Sequence, residues 1–263
     1  MKIYDCFTFF NELDLLELRL ELLNNYVDYF VIAEATRTFS NQEKPLYLYE
    51  NRQRYEKWKD KIVYVQIDKF PNSNNPWDFE TNLRNSLYTG IEKAQPHDGI
   101  LLSDVDEIPH PNLIAQMCIY KYAFLLQDMF YYYFNCLQKT DWPGTQFFRK
   151  EDMIHSMQHM REQRIYLDGK HTNSARIKGG WHFSYMGDNE NIIKKITSGC
   201  HPEIDKPKYI TEEHLNTVKN NAQDIFNRQL DKAVNKYISL DYYEKHPIIL
   251  NFLKKYPKYY KTI

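Results

Sequence analysis

One stretch limits what this chain can fold into more than any other: Gly99-Ile100-Leu101-Leu102-Ser103-Asp104-Val105-Asp106-Glu107-Ile108-Pro109. An uncharged run stops at three carboxylates within four positions, and a proline closes it. This is the pattern of a buried strand that delivers acid to its own carboxyl end. In open parallel α/β sheets ligands bind just outside the carboxyl ends of the strands, so acids placed there face a cleft. Asp104 and Asp106 suit a hard divalent cation such as Mg²⁺ or Mn²⁺, which takes oxygen ligands and commonly shares itself with substrate phosphates. The simpler alternative is a solvated acidic turn before a helix, with Asp106 or Glu107 complementing the helix dipole.

The chain before this stretch alternates strands and helices. Lys2 to Phe10 is β-branched and aromatic enough for a strand. Asn11 then predicts an N-cap, and Leu13, Leu16, Leu20 and Leu23, widened by Leu15 and Leu22, predict the buried stripe of a helix. Asp28 to Ala35 predicts a second buried strand that also ends in acid, at Glu34. That glutamate either accepts hydrogen bonds from a ribose or base, or is a salt-bridged edge residue. A loop over Thr36 to Pro45, a charged surface helix over Asn51 to Asp60 and a strand over Lys61 to Ile67 follow. A helix then runs from Pro76 or Trp77 to about Ala94, with Phe79, Leu83, Leu87 and Ile91 on one face. Arg84 and Asn85 lie off the centre of that face, near the strand that ends at Asp104. The arginine there pairs a phosphate or a clustered acid, unless it is an ordinary surface side chain. The order β-α-β-α-β-α-β gives an α/β fold with a parallel, Rossmann-like sheet.

The second half has a different character. Tyr122 to Phe134 is an aromatic run long enough for two strands or one bent strand, Trp142-Pro143-Gly144-Thr145 reads as a turn, and Gln146 to Arg149 resumes extended structure. Glu151-Asp152 is a second acidic pair. In Gly179-Gly180-Trp181-His182 the glycines allow close backbone approach and His182 is either a metal ligand or a core or surface histidine. Asp188 or Asn189 should cap a helix to Ser198, and Thr211 another to about Asn227. The end, from His246 to Ile263, is rich in Lys and Tyr. It predicts a packed helix with a solvated tail or, alternatively, peripheral contact with an anionic membrane surface.

Composition narrows the function classes. A formal net charge of -1 over 263 residues gives no electrostatic case for nucleic acid as a partner. Aromatics at 16%, with 22 tyrosines, lean toward carbohydrate, since Tyr offers a flat apolar face and a hydroxyl. Cys6, Cys118, Cys136 and Cys200 form no Cys-x-x-Cys pair, so reduced thiols in a cytoplasmic protein are expected. A strand starting at Met1-Lys2-Ile3 leaves no room for a secretion signal, and no window reaches the ~20 apolar residues of a membrane span.

Taken together, Tyr4-Asp5-Cys6-Phe7 with Asn11-Glu12, Ala33-Glu34, Arg84-Asn85, Ser103-Asp104-Val105-Asp106-Glu107-Ile108-Pro109, Pro143-Gly144-Thr145, Gly180-Trp181-His182-Phe183, and Lys195 with Ser198, His201 and Glu203 resemble glycosyltransferase family 17. The matches run in family order over roughly the first four-fifths of the chain. The resemblance implies a GT-A fold in a single domain over 1–263. Its nucleotide-binding half would span 1–110, its acceptor and metal half 111–205, and its C-terminal helices and basic-aromatic tail 206–263.

The resemblance also implies roles. Asp104, Asp106 and His182 would hold Mn²⁺ or Mg²⁺, and through it Asp104 would hold the donor diphosphate. Glu34, Arg84 and Asn85 would serve the nucleotide, Gly144 would form a loop near the donor sugar, and Lys195 would meet the phosphates. Glu151 and Asp152 would face the acceptor, with Asp152 as base. The implied reaction is inverting transfer of a sugar, N-acetylglucosamine in the family, from a UDP-sugar to a hydroxyl of a glycan or glycoconjugate. Two other readings stay open: a nucleotidyltransferase or phosphohydrolase using the same acids on phosphorus, and a non-catalytic carbohydrate-binding protein.

Overall fold

A computed structural model describes residues 1–166, 173–201 and 207–263. Among the described residues nine strands form one sheet: β1 (Ile3–Phe9), β2 (Tyr29–Ala35), β3 (Ile62–Ile67), β4 (Gly99–Asp104), β5 (Glu107–Ile108), β6 (Tyr122–Tyr131), β7 (Cys136–Arg149), β8 (Ser174–Ser184) and β9 (Ala233–Tyr237). The helices are α1 (Leu13–Leu23), the single turn α2 (Tyr47–Glu50), α3 (Pro76–Gly90), the short α4 (Ile114–Met117), α5 (Met157–Tyr166), α6 (Asn189–Ser198), α7 (Glu212–Asn221) and α8 (Pro247–Lys255). The spatial strand order is β3-β2-β1-β4-β7-β6-β8-β5, with β9 on β7.

The expected α/β, Rossmann-like architecture is present. The half formed by β3, β2, β1 and β4 is wholly parallel. The leucines of α1 cover one face of it with the core around Phe7, Phe30 and Leu101, while Leu83 and Leu87 of α3 cover the other with Val31, Ile100 and Leu102. The first two strands are sealed on both faces, which explains why they read as continuous apolar runs. β7 joins β4 antiparallel, and the second half mixes both senses, β6 pairing β7 antiparallel and β8 parallel.

Three local expectations differ. Residues 142–145 are not a turn but lie within β7, where the register against β6 shifts and so accommodates Pro143. The segment after α2 is a 3₁₀ turn over Arg52–Trp58, broken by a non-helical Tyr55 whose side chain is buried with Trp58. α3 and α7 end earlier than expected; a left-handed Ala222 (φ 54°) stops α7.

The crossing from one half to the other positions the site. Directly after β4 the chain turns through Val105 and Asp106 into β5, which pairs with β8 at the far edge and sets Glu107 opposite His182. The Phe183 amide also donates to the Asp106 carbonyl, 2.8 Å. The acidic turn therefore spans the junction between the parallel half and the mixed half.

The C-terminal segment docks on the body of the protein. Tyr243, Ile249, Phe252, Leu253 and Tyr259 join the main core. Lys258 pairs with Asp14, 2.8 Å, Lys255 pairs with Glu17, and the Tyr256 hydroxyl donates to Glu17, 3.0 Å. Two of the tail lysines thus meet acids of α1, and the membrane contact considered for this tail is not supported. Among the described residues no helix is long and apolar enough to cross a membrane.

Candidate active site

A cleft of about 280 Å³ opens at the carboxyl ends of β1, β2 and β4. Thr8 to Phe10 form one side, Arg37 to Phe39 the next, and His182, Ser184 and Tyr185 close it from β8. Lys195 and Ser198 reach in from α6, and Glu80 and Arg84 from α3. Its floor is Asp104-Val105-Asp106. This is the place where an open α/β sheet with such an order change binds ligands.

A buried arginine organises that floor. Arg19, fully buried on α1, makes a double ion pair with Asp5, 2.6 and 2.8 Å, and donates to Ser103 Oγ, 2.7 Å. Its remaining nitrogen donates to the carbonyls of Asp104, Val105 and Glu107 at 2.9, 3.2 and 3.0 Å. The turn that carries the acids is therefore fixed by its backbone, and its Asp104 and Asp106 side chains line the cleft. Arg19 was not among the expected site residues. The signal was present, since an arginine falls on the leucine stripe of the helix, where only a partnered charge survives burial.

Each carboxylate of the turn has its own cations. Arg84 and Arg161 hold the two oxygens of Asp104 at 2.9 and 3.0 Å. Lys195 meets Asp106 Oδ2 at 2.6 Å, and His182 Nε2 lies 3.6 Å from Asp106 Oδ1. Glu107 accepts from Arg161 at 2.7 Å, from the Trp142 indole at 2.8 Å and from the Asp104 amide at 3.2 Å. Burial opposes ionisation of all three, but the cations more than offset it. Arg161 and Arg84 hold the Asp104 carboxyl well below its ordinary range; Lys195, then His182, lower Asp106, and Arg161 lowers Glu107. All three are therefore anionic at neutral pH. Arg161, on α5, is a second residue that the sequence did not reveal, because nothing local marks it.

Among the described residues no three His, Cys, Asp or Glu side chains form a ready metal cage. Asp106 and His182 do face each other across the cleft floor. One carboxylate and one imidazole suit a Mg²⁺ or Mn²⁺ that completes its shell with substrate phosphate and water. Asp104 is spoken for by two arginines, so its contribution to a cation requires the loss of one of those bonds.

The expected site residues divide sharply. Asp104, Asp106, His182, Arg84 and Lys195 converge on the cleft. Glu34 does not: it is fully buried, accepting from Lys44, 3.5 Å, the Leu48 amide, 3.1 Å, and the Tyr64 hydroxyl, 2.9 Å. Its carboxylate serves the fold, and burial raises its pKa. Asn85 accepts from the Gln158 amide, 2.9 Å, and so anchors the start of α5 to α3. Gly144 is a packing glycine within β7, where a Cβ would stand 1.7 Å from Gln127 Oε1, and its carbonyl accepts from Arg161 at 3.1 Å. Glu203 lies outside the described residues.

Glu151 and Asp152 lie at the opposite end of the sheet. β7 runs antiparallel to β4, so Arg149, its last residue, pairs with Gly99, the first of β4. The Lys150 and Glu151 amides donate to the carbonyls of Asp98 and Pro96, 2.9 and 2.8 Å, and Asp98 in turn accepts from the Lys2 amide, 2.7 Å. Asp152 pairs with Lys121 at 3.0 Å. The length of β4, roughly 16 Å at the rise of a strand, separates this pair from the cleft. Their expected place facing an acceptor across the cleft is therefore corrected.

Comparison with known proteins identifies the family. Residues 1–234 match glycosyltransferase family 17. Over 137 residues the chain is 28% identical to the human and the rat β-1,4-mannosyl-glycoprotein 4-β-N-acetylglucosaminyltransferases and 27% identical to that of the mouse. Each match covers 47% of this chain and 26% of the relative, so the matched part spans about a quarter of those proteins. A solved structure of a putative glucose-1-phosphate thymidylyltransferase from Bacillus anthracis overlaps 69% of this chain and 88% of its own at 8% identity and a TM-score of 0.37. With the family pattern covering most of its length, this chain belongs to glycosyltransferase family 17.

Proposed function

We propose that this chain transfers a sugar from a UDP-sugar to a hydroxyl of a glycan or glycoconjugate acceptor, with inversion and with Mn²⁺ or Mg²⁺ as cofactor. The sugar is N-acetylglucosamine, on the name its relatives carry. One observation carries the reading: at the carboxyl ends of the parallel strands, Asp106 and His182 face each other beside Lys195 and Arg84. A diphosphate needs both a cation shared with acid and basic side chains of its own.

Residues of this chain then divide the work. Asp106 and His182 would hold the cation, which when bound stabilises the charge that develops on the leaving diphosphate. Lys195 and Arg84 would neutralise phosphate oxygens of the donor. Phe10 and Phe39 give the cleft apolar walls suited to a flat base. The acceptor hydroxyl must lose its proton as it attacks. Among the described residues, Glu12, Glu80, Asp104 and Asp106 line the cleft, and each is engaged by a cationic side chain. One of these carboxylates therefore becomes available as base only as bound substrate rearranges its pair, and the imidazoles of His182 and His201 also line the cleft. A reducing cytoplasmic setting belongs to the same reading, resting on four unpaired thiols.

The test is a panel of UDP-sugars incubated with Mn²⁺ or with chelator, with glycan acceptors present. Release of intact UDP, dependent on acceptor and abolished by chelator, is expected. Release of pyrophosphate or inorganic phosphate would favour chemistry on phosphorus instead, and sugar binding indifferent to chelator without turnover would favour a binding protein.

A further inference from the structure

The mechanism leaves one pair of contacts unexplained. The Lys195 ammonium sits on Asp106 Oδ2, 2.6 Å away, on the carboxylate that a cation would need. The same ammonium lies 3.1 Å from Glu12 Oε1. Glu12 is itself fixed: its other oxygen accepts from the amides of Phe10 and Asn11 at 3.3 and 3.1 Å, at the residue that precedes the first turn of α1. Lys195 thus bridges two carboxylates from different elements, one at the end of β4 and one at the start of α1. Lysine suits this place, being a compact point charge on a flexible stem that can exchange partners without moving its helix.

An ammonium and a divalent cation repel each other across one carboxylate. In a partly buried site this repulsion is far less screened than in water, and a divalent ion doubles it relative to a monovalent one. The two therefore compete for Asp106, and whatever holds Lys195 elsewhere favours the cation. We propose that Glu12 is a positioning residue for the cation site: it receives the Lys195 ammonium when the cation takes Asp106, and Lys195 in turn weakens cation binding until a diphosphate draws the ammonium away. This rests on the reading of Asp106 as a cation ligand. Coupling between the ligands follows from it, since a nucleotide that removes Lys195 from Asp106 must tighten the cation, and the cation must tighten the nucleotide by the same factor.

The experiment measures Mn²⁺ affinity of the whole chain without nucleotide, by the free-Mn²⁺ electron paramagnetic resonance signal, in wild type, Lys195→Met, Glu12→Gln and the double variant. Lys195→Met should tighten Mn²⁺ by roughly ten- to a hundredfold, the worth of a hydrogen bond to a charged group. Glu12→Gln should weaken it several-fold, because the ammonium then has only Asp106. In the double variant Glu12→Gln should add nothing to Lys195→Met, the non-additivity expected if Glu12 acts through the lysine. Equal effects of Glu12→Gln in both backgrounds, or none in either, would overturn the proposal. A merely structural role for Glu12 cannot disappear when Lys195 is removed. Asp106→Asn separates the two levels: if it leaves Mn²⁺ binding unchanged with and without UDP, the cation assignment itself fails.

Discussion

The two acidic clusters look alike in sequence and do different things in the structure. Asp104-Val105-Asp106-Glu107 and Glu151-Asp152 each follow an extended, largely buried segment, and each precedes a change of direction. β4 is parallel to β1, so its acids emerge at the end where the strand order changes and a cleft forms. β7 is antiparallel to β4, so its acids emerge beside the amino ends of β1 and β4, among the Pro96 and Asp98 carbonyls. An acid at the carboxyl end of a strand marks a ligand site only where the sense of that strand is known.

Turnover separates the two clusters most strongly. Asp106→Ala should lower UDP release by about a thousandfold or more, the scale of losing preorganised charge stabilisation. Asp152→Asn should leave UDP release within about twofold of wild type.

Next is the support of the acidic turn. Arg19→Met leaves Asp5 buried without its partner and three carbonyls without their donor, so urea denaturation should show a loss of ~3–5 kcal/mol. Gly144→Ala, within β7, forces a Cβ into the Gln127 side chain of β6 and should cost ~1–3 kcal/mol by the same measurement, with cleft binding of UDP retained once the protein is folded.

A smaller effect concerns acid. Asp104 and Asp106 have folded-state carboxyls held below the ordinary value of about 3.9, so the unfolded chain binds more protons in that region. The stability they lend is present above about pH 4 and is lost as pH falls toward their folded values. Melting temperature followed from pH 6 to 3 should therefore fall more steeply for wild type than for Asp106→Asn.

Legibility followed the same division. The parallel half was readable because both its faces are buried, which writes strands as apolar runs and helices as leucine stripes. Asp104, Asp106, Arg84, His182 and Lys195 share the cleft, and of these Lys195 is marked only by the family pattern. Glu34 misled because an acid at the end of a buried strand is also how a fold satisfies a nearby lysine, amide and tyrosine. The second half was harder, since the sense of β7 and the excursion of β5 to the far edge depend on pairings between distant residues. Arg161 illustrates the limit: its partners lie 54 and 57 residues away, and no local pattern announces them.

On the proposed function, one cleft, floored by the acids that follow β4, takes the nucleotide and its cation. The most direct test is UDP binding with Mn²⁺, followed by calorimetry on wild type, Asp106→Ala and Asp152→Asn. We expect Mn²⁺-dependent UDP binding in wild type and Asp152→Asn and its loss in Asp106→Ala. Retention of that binding in Asp106→Ala with loss in Asp152→Asn would place the nucleotide at the other end of the sheet and contradict the account.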